Sequence, residues 1–131
     1  MASEYHIVSL DDVSTGVARR YRANIVLSDD MPRSEAIARI SHAVRAIRGT
    51  QVFRHTGSRK LWAPRWPVKA KPHPVDIVIL FAYLHVDDIP HAKWACRCLW
   101  VSPDLDARFR PLPIREDDVR DGIVIEWRRV R

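Results

Sequence analysis

The sequence is poor in glycine and cysteine and has no long apolar run. Its four glycines, Gly16, Gly49, Gly57 and Gly122, stand too far apart for a phosphate-cradling loop, so glycine-rich nucleotide fingerprints are excluded. The two cysteines, Cys96 and Cys98, sit two residues apart in one apparent strand, too close to staple a fold, which points to a reducing compartment. The longest uncharged apolar run, Ile77 to Leu84, is far short of the roughly 20 residues that cross a bilayer, and Met1-Ala2-Ser3-Glu4 carries no charged-then-apolar leader. The expectation is a cytoplasmic protein without a membrane partner. A fourth scarcity is local: no acidic residue occurs between Ala36 and Val75.

Positive charge is what the chain has in excess. Lysine and arginine number 22 against 16 aspartates and glutamates, a formal net charge of +6. Arginine outnumbers lysine 18 to 4, a ratio that coding bias in a GC-rich genome produces as readily as guanidinium chemistry, so position says more than count. The acid-free window holds Arg39, Arg45, Arg48, Arg54, Arg59, Lys60, Arg65, Lys69 and Lys71, while the rest of the chain sets 13 basic side chains against 16 acidic ones. One block of forty residues therefore generates the whole excess. Charge of one sign concentrated in this way attracts a polyanion or an acidic protein surface; a solvated charged face is the plainer alternative.

A chain of 131 residues, 47% hydrophobic and 29% charged, suits one domain over residues 1–131. Tyr5 to Leu10 reads as a short first strand, followed by a polar turn through Asp11, Asp12 and Gly16. Arg20 to Leu27 alternates cleanly, with Tyr21, Ala23, Ile25 and Leu27 on one face and Arg20, Arg22 and Asn24 on the other. Ser28-Asp29-Asp30 offers helix caps, Pro32 suits a first turn and Gly49 a position just past the end, which brackets a helix from Pro32 to Arg48. Its apolar stripe is Ile37, Ile40, Val44 and Ile47, and Arg39, His42 and Arg45 face away. Gln51 to Trp62 reads as a hairpin turning at Gly57. Pro64, Pro67, Pro72 and Pro74 then make Ala63 to Pro74 an extended connection.

Val75 to Leu84 is apolar on both faces and so belongs inside a sheet. It is expected to pair as an antiparallel hairpin with Lys93 to Val101, whose Trp94, Cys96, Cys98 and Trp100 share a face. Pro103 to Gly122 reads as irregular with one helical turn near Glu116, and Ile123, Ile125 and Trp127 mark a last strand. The fold class expected is α+β: an antiparallel or mixed sheet of about five to seven strands with one amphipathic helix packed on one face. One helix covers only one side of such a sheet, so the second apolar face of Val75 to Leu84 needs sheet curvature, the Pro103 to Asp121 segment or a partner to close it.

Four clusters bear on chemistry. His85, Asp87, Asp88 and His91 are plausible metal ligands, but Asp-Asp-x-Pro is ordinary turn chemistry, and no metal or other cofactor is expected. Cys96 and Cys98 read as buried thiols. His55 beside Arg54, Arg59 and Lys60 resembles a general acid/base among phosphate-binding cations, as in a small metal-independent ribonuclease, yet no second acid or base accompanies it. The remaining constellation, Phe53, Arg54, Arg59, Lys60, Trp62, Arg65, Trp66, Lys69 and Lys71, interleaves cations with aromatics. Such a set suits single-stranded nucleic acid, since cations meet phosphates and indoles stack on bases at ~1–3 kcal/mol each. The expectation is a non-catalytic accessory module of a cytoplasmic complex. Its basic excursion, residues 59–74, would engage DNA or RNA through Arg54, Arg59, Lys60, Trp62, Arg65, Trp66, Lys69 and Lys71. A protein partner or a homo-oligomer is expected through the uncovered sheet face, which is also the basis of the alternative, a pure protein-interaction or regulatory subunit. No small-molecule substrate is inferred.

Overall fold

The computed structural model describes residues 5–13, 18–28, 31–49 and 75–128. Along the chain run β1 (Tyr5–Asp12), β2 (Arg20–Leu27), α1 (Arg33–Arg48), β3 (Ile77–Tyr83), a 3-10 helix (Val86–His91), β4 (Cys96–Val101), a 3-10 turn (Ala107–Phe109), β5 (Asp118–Arg120) and β6 (Ile123–Trp127). The fold is α+β: one six-stranded mixed sheet in the order β1-β2-β3-β4-β6-β5, with α1 packed on one face. Every neighbouring pair is antiparallel except β2 and β3, which run parallel.

Period-two alternation decides which side chains meet the helix. From β2 come Tyr21, Ala23, Ile25 and Leu27, from β3 Val78, Leu80 and Ala82, from β4 Cys96, Cys98 and Trp100, and from β6 Ile123 and Ile125. Against them α1 sets Ala36, Ile40, Ala43, Val44 and Ile47, the stripe that its three- and four-residue spacing dictates. Arg48 at the last turn, which the helix dipole alone explains, also lies 3.9 Å above the Trp100 ring. Both thiols are buried, and burial pushes that of Cys98 well above its ordinary pKa, so it stays protonated and unreactive.

Several local expectations need correction. The cap position expected within Ser28 to Asp30 falls instead on Pro32, with no side-chain cap hydrogen bond among the described residues. Gly49 does terminate α1, but at φ −83, so its left-handed freedom is unused. The first strand continues to Asp12, because a register shift between Ile7 and Ser9 changes its phase and turns Leu10 and Asp12 toward the core side. Trp94 is not on the strand with Cys96, since β4 begins two residues later. Near Glu116 there is no helical turn; Asp118–Arg120 pairs with β6 through Asp121 (φ 54) and Gly122 (φ 78), the consecutive positive values that a tight primed hairpin turn requires. The hairpin at Gln51 to Trp62 and the extended connection at Ala63 to Pro74 lie outside the described residues.

The parallel β2/β3 pair is fastened at its start. Asp76 Oδ2 accepts from the Arg19 amide at 2.8 Å, and the Arg19 carbonyl accepts from the amides of Asp76 at 2.9 Å and Ile77 at 3.2 Å. The buried Arg19 guanidinium donates to the Tyr21 hydroxyl at 2.9 Å. Burial pushes the Tyr21 phenol above its ordinary pKa despite that guanidinium, so it remains a neutral partner. Asp76→Ala orphans a buried amide and is expected to lower stability by about 1–3 kcal/mol, whereas Asp76→Asn keeps an oxygen acceptor and costs less. Urea denaturation of the two variants checks this; equal losses would remove the hydrogen bond from the explanation.

Candidate functional site

On the sheet face opposite α1, inter-strand register assembles a row from residues far apart in sequence. Asn24 of β2 stands opposite Phe81 of β3, Phe81 opposite Arg97 of β4, and Arg97 opposite Glu126 of β6. Ser9 of β1 extends the row, its hydroxyl accepting from Asn24 Nδ2 at 3.0 Å. The neighbouring row, Arg22, Ile79, Leu99 and Val124, is mostly aliphatic. Beyond it the face is closed by Ala18 and Leu105, which pack with Ile77 against Ile79, Leu99 and Val101. The Pro103 to Asp121 segment therefore does close one end of this face.

At the other end arginines and aromatics interleave. The exposed Arg22 guanidinium lies 5.1 Å from the Phe81 ring centre, and Phe81 is 6.4 Å from the Trp94 ring. Trp94 in turn carries Arg128 at 4.4 Å and Arg97 at 5.5 Å. Tyr83 is buried beside them; desolvation raises its phenol pKa, and the Arg22 and Arg128 charges pull the other way. These contacts form a ladder in which each aromatic side chain is flanked by a guanidinium.

The three arginines are held differently. Arg97 is neutralised, its guanidinium meeting Glu126 Oε1 at 2.9 Å. Burial pushes the Glu126 carboxyl up, but the Arg115 amide, the Arg97 hydrogen bond and the two guanidinium charges overcome it and hold its pKa below the ordinary value. Among the described residues Arg128 donates only to carbonyls, Trp94 O at 2.7 Å and Ala92 O at 2.8 Å, which orient it without cancelling its charge. Arg22 makes no ion pair among the described residues. Two cations without a carboxylate partner among the described residues thus stand on the ladder.

The ladder runs into a pocket of about 430 Å³ beyond the carboxyl ends of β2 and β3. Leu27, Met31, Ala36, Leu84, Ala95 and the two indoles of Trp94 and Trp127 make its lining mainly apolar. Arg33, Asp88, Lys93 and Arg128 add charge. Trp127 is clamped: its indole N–H donates to Asp118 Oδ2 at 2.7 Å, the same oxygen takes Arg33 Nη2 at 2.8 Å, and that guanidinium lies 4.8 Å from the indole centre.

Every residue that the sequence singled out for nucleic acid, Arg54, Arg59, Lys60, Trp62, Arg65, Trp66, Lys69 and Lys71, lies outside the described residues, as does His55. Arg22, Phe81, Trp94, Arg97 and Arg128 were missed. Arg22 on the polar face of β2 and Phe81 on the second apolar face of β3 were visible signals, but only the register joins them. His85 and His91 are exposed, and among the described residues no three His, Cys, Asp or Glu side chains converge on a metal-sized site. Among them, too, no helix is long and apolar enough to cross a membrane. No family model, no curated protein and no solved structure matches this chain.

Two outcomes follow from this geometry. Ala92, whose carbonyl orients Arg128, sits at φ 53 in the left-handed region, at a cost of roughly 1–2 kcal/mol for an L-residue. Ala92→Gly is expected to recover about 0.5–1 kcal/mol after glycine's greater unfolded-state entropy is deducted, and thermal melts showing no rise in Tm would refute it. Glu126, with its folded pKa below the ordinary 4.5, contributes stability that is present above that value and is lost as pH falls below it toward the folded pKa. The Tm gap between wild type and Glu126→Gln should therefore be widest near neutral pH and close in acid; a gap independent of pH contradicts the assignment.

Proposed function

We propose that the protein is a non-catalytic binding module that engages single-stranded nucleic acid across the sheet face opposite α1, as an accessory part of a larger complex. The single observation behind this reading is the Arg22–Phe81–Trp94–Arg128 ladder: guanidinium groups on aromatic rings, two of the cations without a carboxylate partner among the described residues, on a face that no described helix covers. Single strands expose bases that stack on such flat surfaces at about 1–3 kcal/mol each, and their phosphates seek cations. The basic segment bearing Arg54, Arg59, Lys60, Trp62, Arg65, Trp66, Lys69 and Lys71 carries the same combination of cations and indoles in its sequence.

A second reading, a protein-interaction subunit, draws on the outer strand β1, where Ile7 and Val8 are 42% and 46% exposed. An edge strand with exposed apolar side chains is a template for another chain. Under this reading binding would be insensitive to the ladder.

Anisotropy titrations of short poly-dT and poly-U across salt concentrations separate the two. Each phosphate contact contributes about −0.7 to the log–log slope, so contacts from Arg22, Arg128 and the basic segment should give a slope of about −2 or steeper. Arg22→Ala is expected to flatten it by about 0.7, and Arg65→Glu with Lys69→Glu by about twice that, with affinity falling for all sequences alike. Absence of binding at low salt, or indifference to all three changes, would leave the protein-interaction reading in its place.

A further inference from the structure

We propose that the pocket at the carboxyl ends of β2 and β3 is a nucleotide site, taking one nucleobase and the phosphate attached to it. Its volume of about 430 Å³ falls within the roughly 300–1,000 Å³ of small-molecule sites, and its lining is largely apolar with a few convergent polar groups. Three features narrow the ligand.

Two indoles, Trp94 and Trp127, line the pocket, and both are fixed before any ligand arrives. Trp127 is held by Asp118 and Arg33; Trp94 is held by Arg128 through its carbonyl and ring. Rigid aromatic walls favour a planar ring over a flexible chain, because little side-chain entropy remains to be lost.

The charge at the rim is positive but not uniform. Arg33 is neutralised by Asp118 at 2.8 Å, and among the described residues Arg128 binds only carbonyls. Lys93 makes no ion pair or side-chain hydrogen bond with the described residues. Lys93 and Arg128 are therefore left to meet an anion. Asp88 lines the same pocket and likewise has no cationic partner among the described residues. A simple aromatic carboxylate would bring its own charge near Asp88 with no donor to offer it. A nucleobase presents ring or exocyclic N–H groups to such a carboxylate, while its phosphate reaches the cations.

The last feature is continuity: Trp94 and Arg128 belong both to the pocket and to the ladder on the sheet face. A strand lying along the ladder would deliver its end into the pocket. The nucleotide thus has two sources, a free mononucleotide or the terminal residue of a strand. The second source rests on the proposed function; the first stands without it.

Calorimetric titration of the full chain with nucleoside 5′-monophosphates, with the corresponding nucleosides, and with oligonucleotides bearing a 5′-phosphate, a 3′-phosphate or neither tests both. Lys93→Glu is the variant of choice, since its side chain is exposed and lies off the ladder. Mononucleotides should bind about tenfold more tightly than nucleosides, with the preference removed in Lys93→Glu, since a charge-assisted contact is worth about that factor. Tighter binding of one end-phosphorylated oligonucleotide, abolished by Lys93→Glu while the unphosphorylated strand binds as before, identifies the strand end as the source. Phosphate-dependent binding of mononucleotides without any end preference identifies the free nucleotide. Equal binding of nucleosides and nucleotides, no binding of either, or indifference to Lys93→Glu overturns the site. Loss of the site with oligonucleotide binding and its Arg22 dependence intact leaves the proposed function standing; the reverse pattern removes that function and keeps the pocket.

Discussion

Arg19 and Asp76 are 57 positions apart, yet each supplies a hydrogen bond that starts the other's strand. Closing a loop of that length costs on the order of 4 kcal/mol in chain entropy by the logarithmic rule. The three bonds joining Arg19 to Asp76 and Ile77, at about 0.5–1.5 kcal/mol net each, offset it only in combination with the burial of Ala18, Ile77 and Leu105 beside them. Everything else in the sheet depends on this junction. The antiparallel β1/β2 pair and the antiparallel β3-β4-β6-β5 set each draw on one stretch of chain; one parallel seam makes them a single sheet. Shifting that seam by one residue would turn Phe81 away from Asn24 and expose Val78, Leu80 and Ala82 to the side that lacks α1.

The site inherits its rigidity from the same register. Phe81 is flanked by strands on both sides, so its ring is positioned by backbone pairing and its neighbours by cross-strand opposition. Around this row the β5/β6 hairpin supplies a supporting layer. Arg115 donates to Asp117 Oδ1 and Oδ2 at 2.8 Å each and to the Trp127 carbonyl at 2.6 Å, while Asp117 accepts from the Trp127 amide at 2.8 Å. Such cross-links hold Glu126 and Trp127 in place, and through them Arg97 and one wall of the pocket. The strain at Ala92 belongs to the same arrangement, since its carbonyl anchors Arg128.

The core was legible in the sequence because it follows simple periods. Alternation in Arg20 to Leu27 and the two-sided apolar character of Ile77 to Tyr83 placed both strands, and the spacing of Ile40, Val44 and Ile47 placed the helix, with ends that moved by a residue or two. What failed was short or irregular. β5 has three residues, too few for a period to register, although Asp121-Gly122 is a strong hairpin signal and went unused. The bulge in β1 hid the inward turn of Asp12, because alternation breaks at a register shift. The ladder was illegible for a different reason: Arg22, Phe81, Trp94 and Arg128 lie on separate elements, and no window along the chain contains them together.

The excess of arginine, ambiguous as a count, separates into classes once partners are known. Arg97 meets Glu126, Arg33 meets Asp118, Arg115 meets Asp117, and Arg110 is spent on the carbonyls of Ser102, Pro103 and Leu105; these guanidinium groups build the protein. Arg22, Lys93 and Arg128 have no carboxylate among the described residues, and Arg22 and Lys93 are exposed. A cation left uncompensated near aromatic rings gains little stability for the fold, since exposed charges in water interact weakly. Coding bias can raise the number of arginines but gives no reason for Arg22 and Arg128 to lie against Phe81 and Trp94, or for Arg128 and Lys93 to line the pocket that Trp94 borders. That stacking, not the net charge, is what supports the proposed polyanion reading.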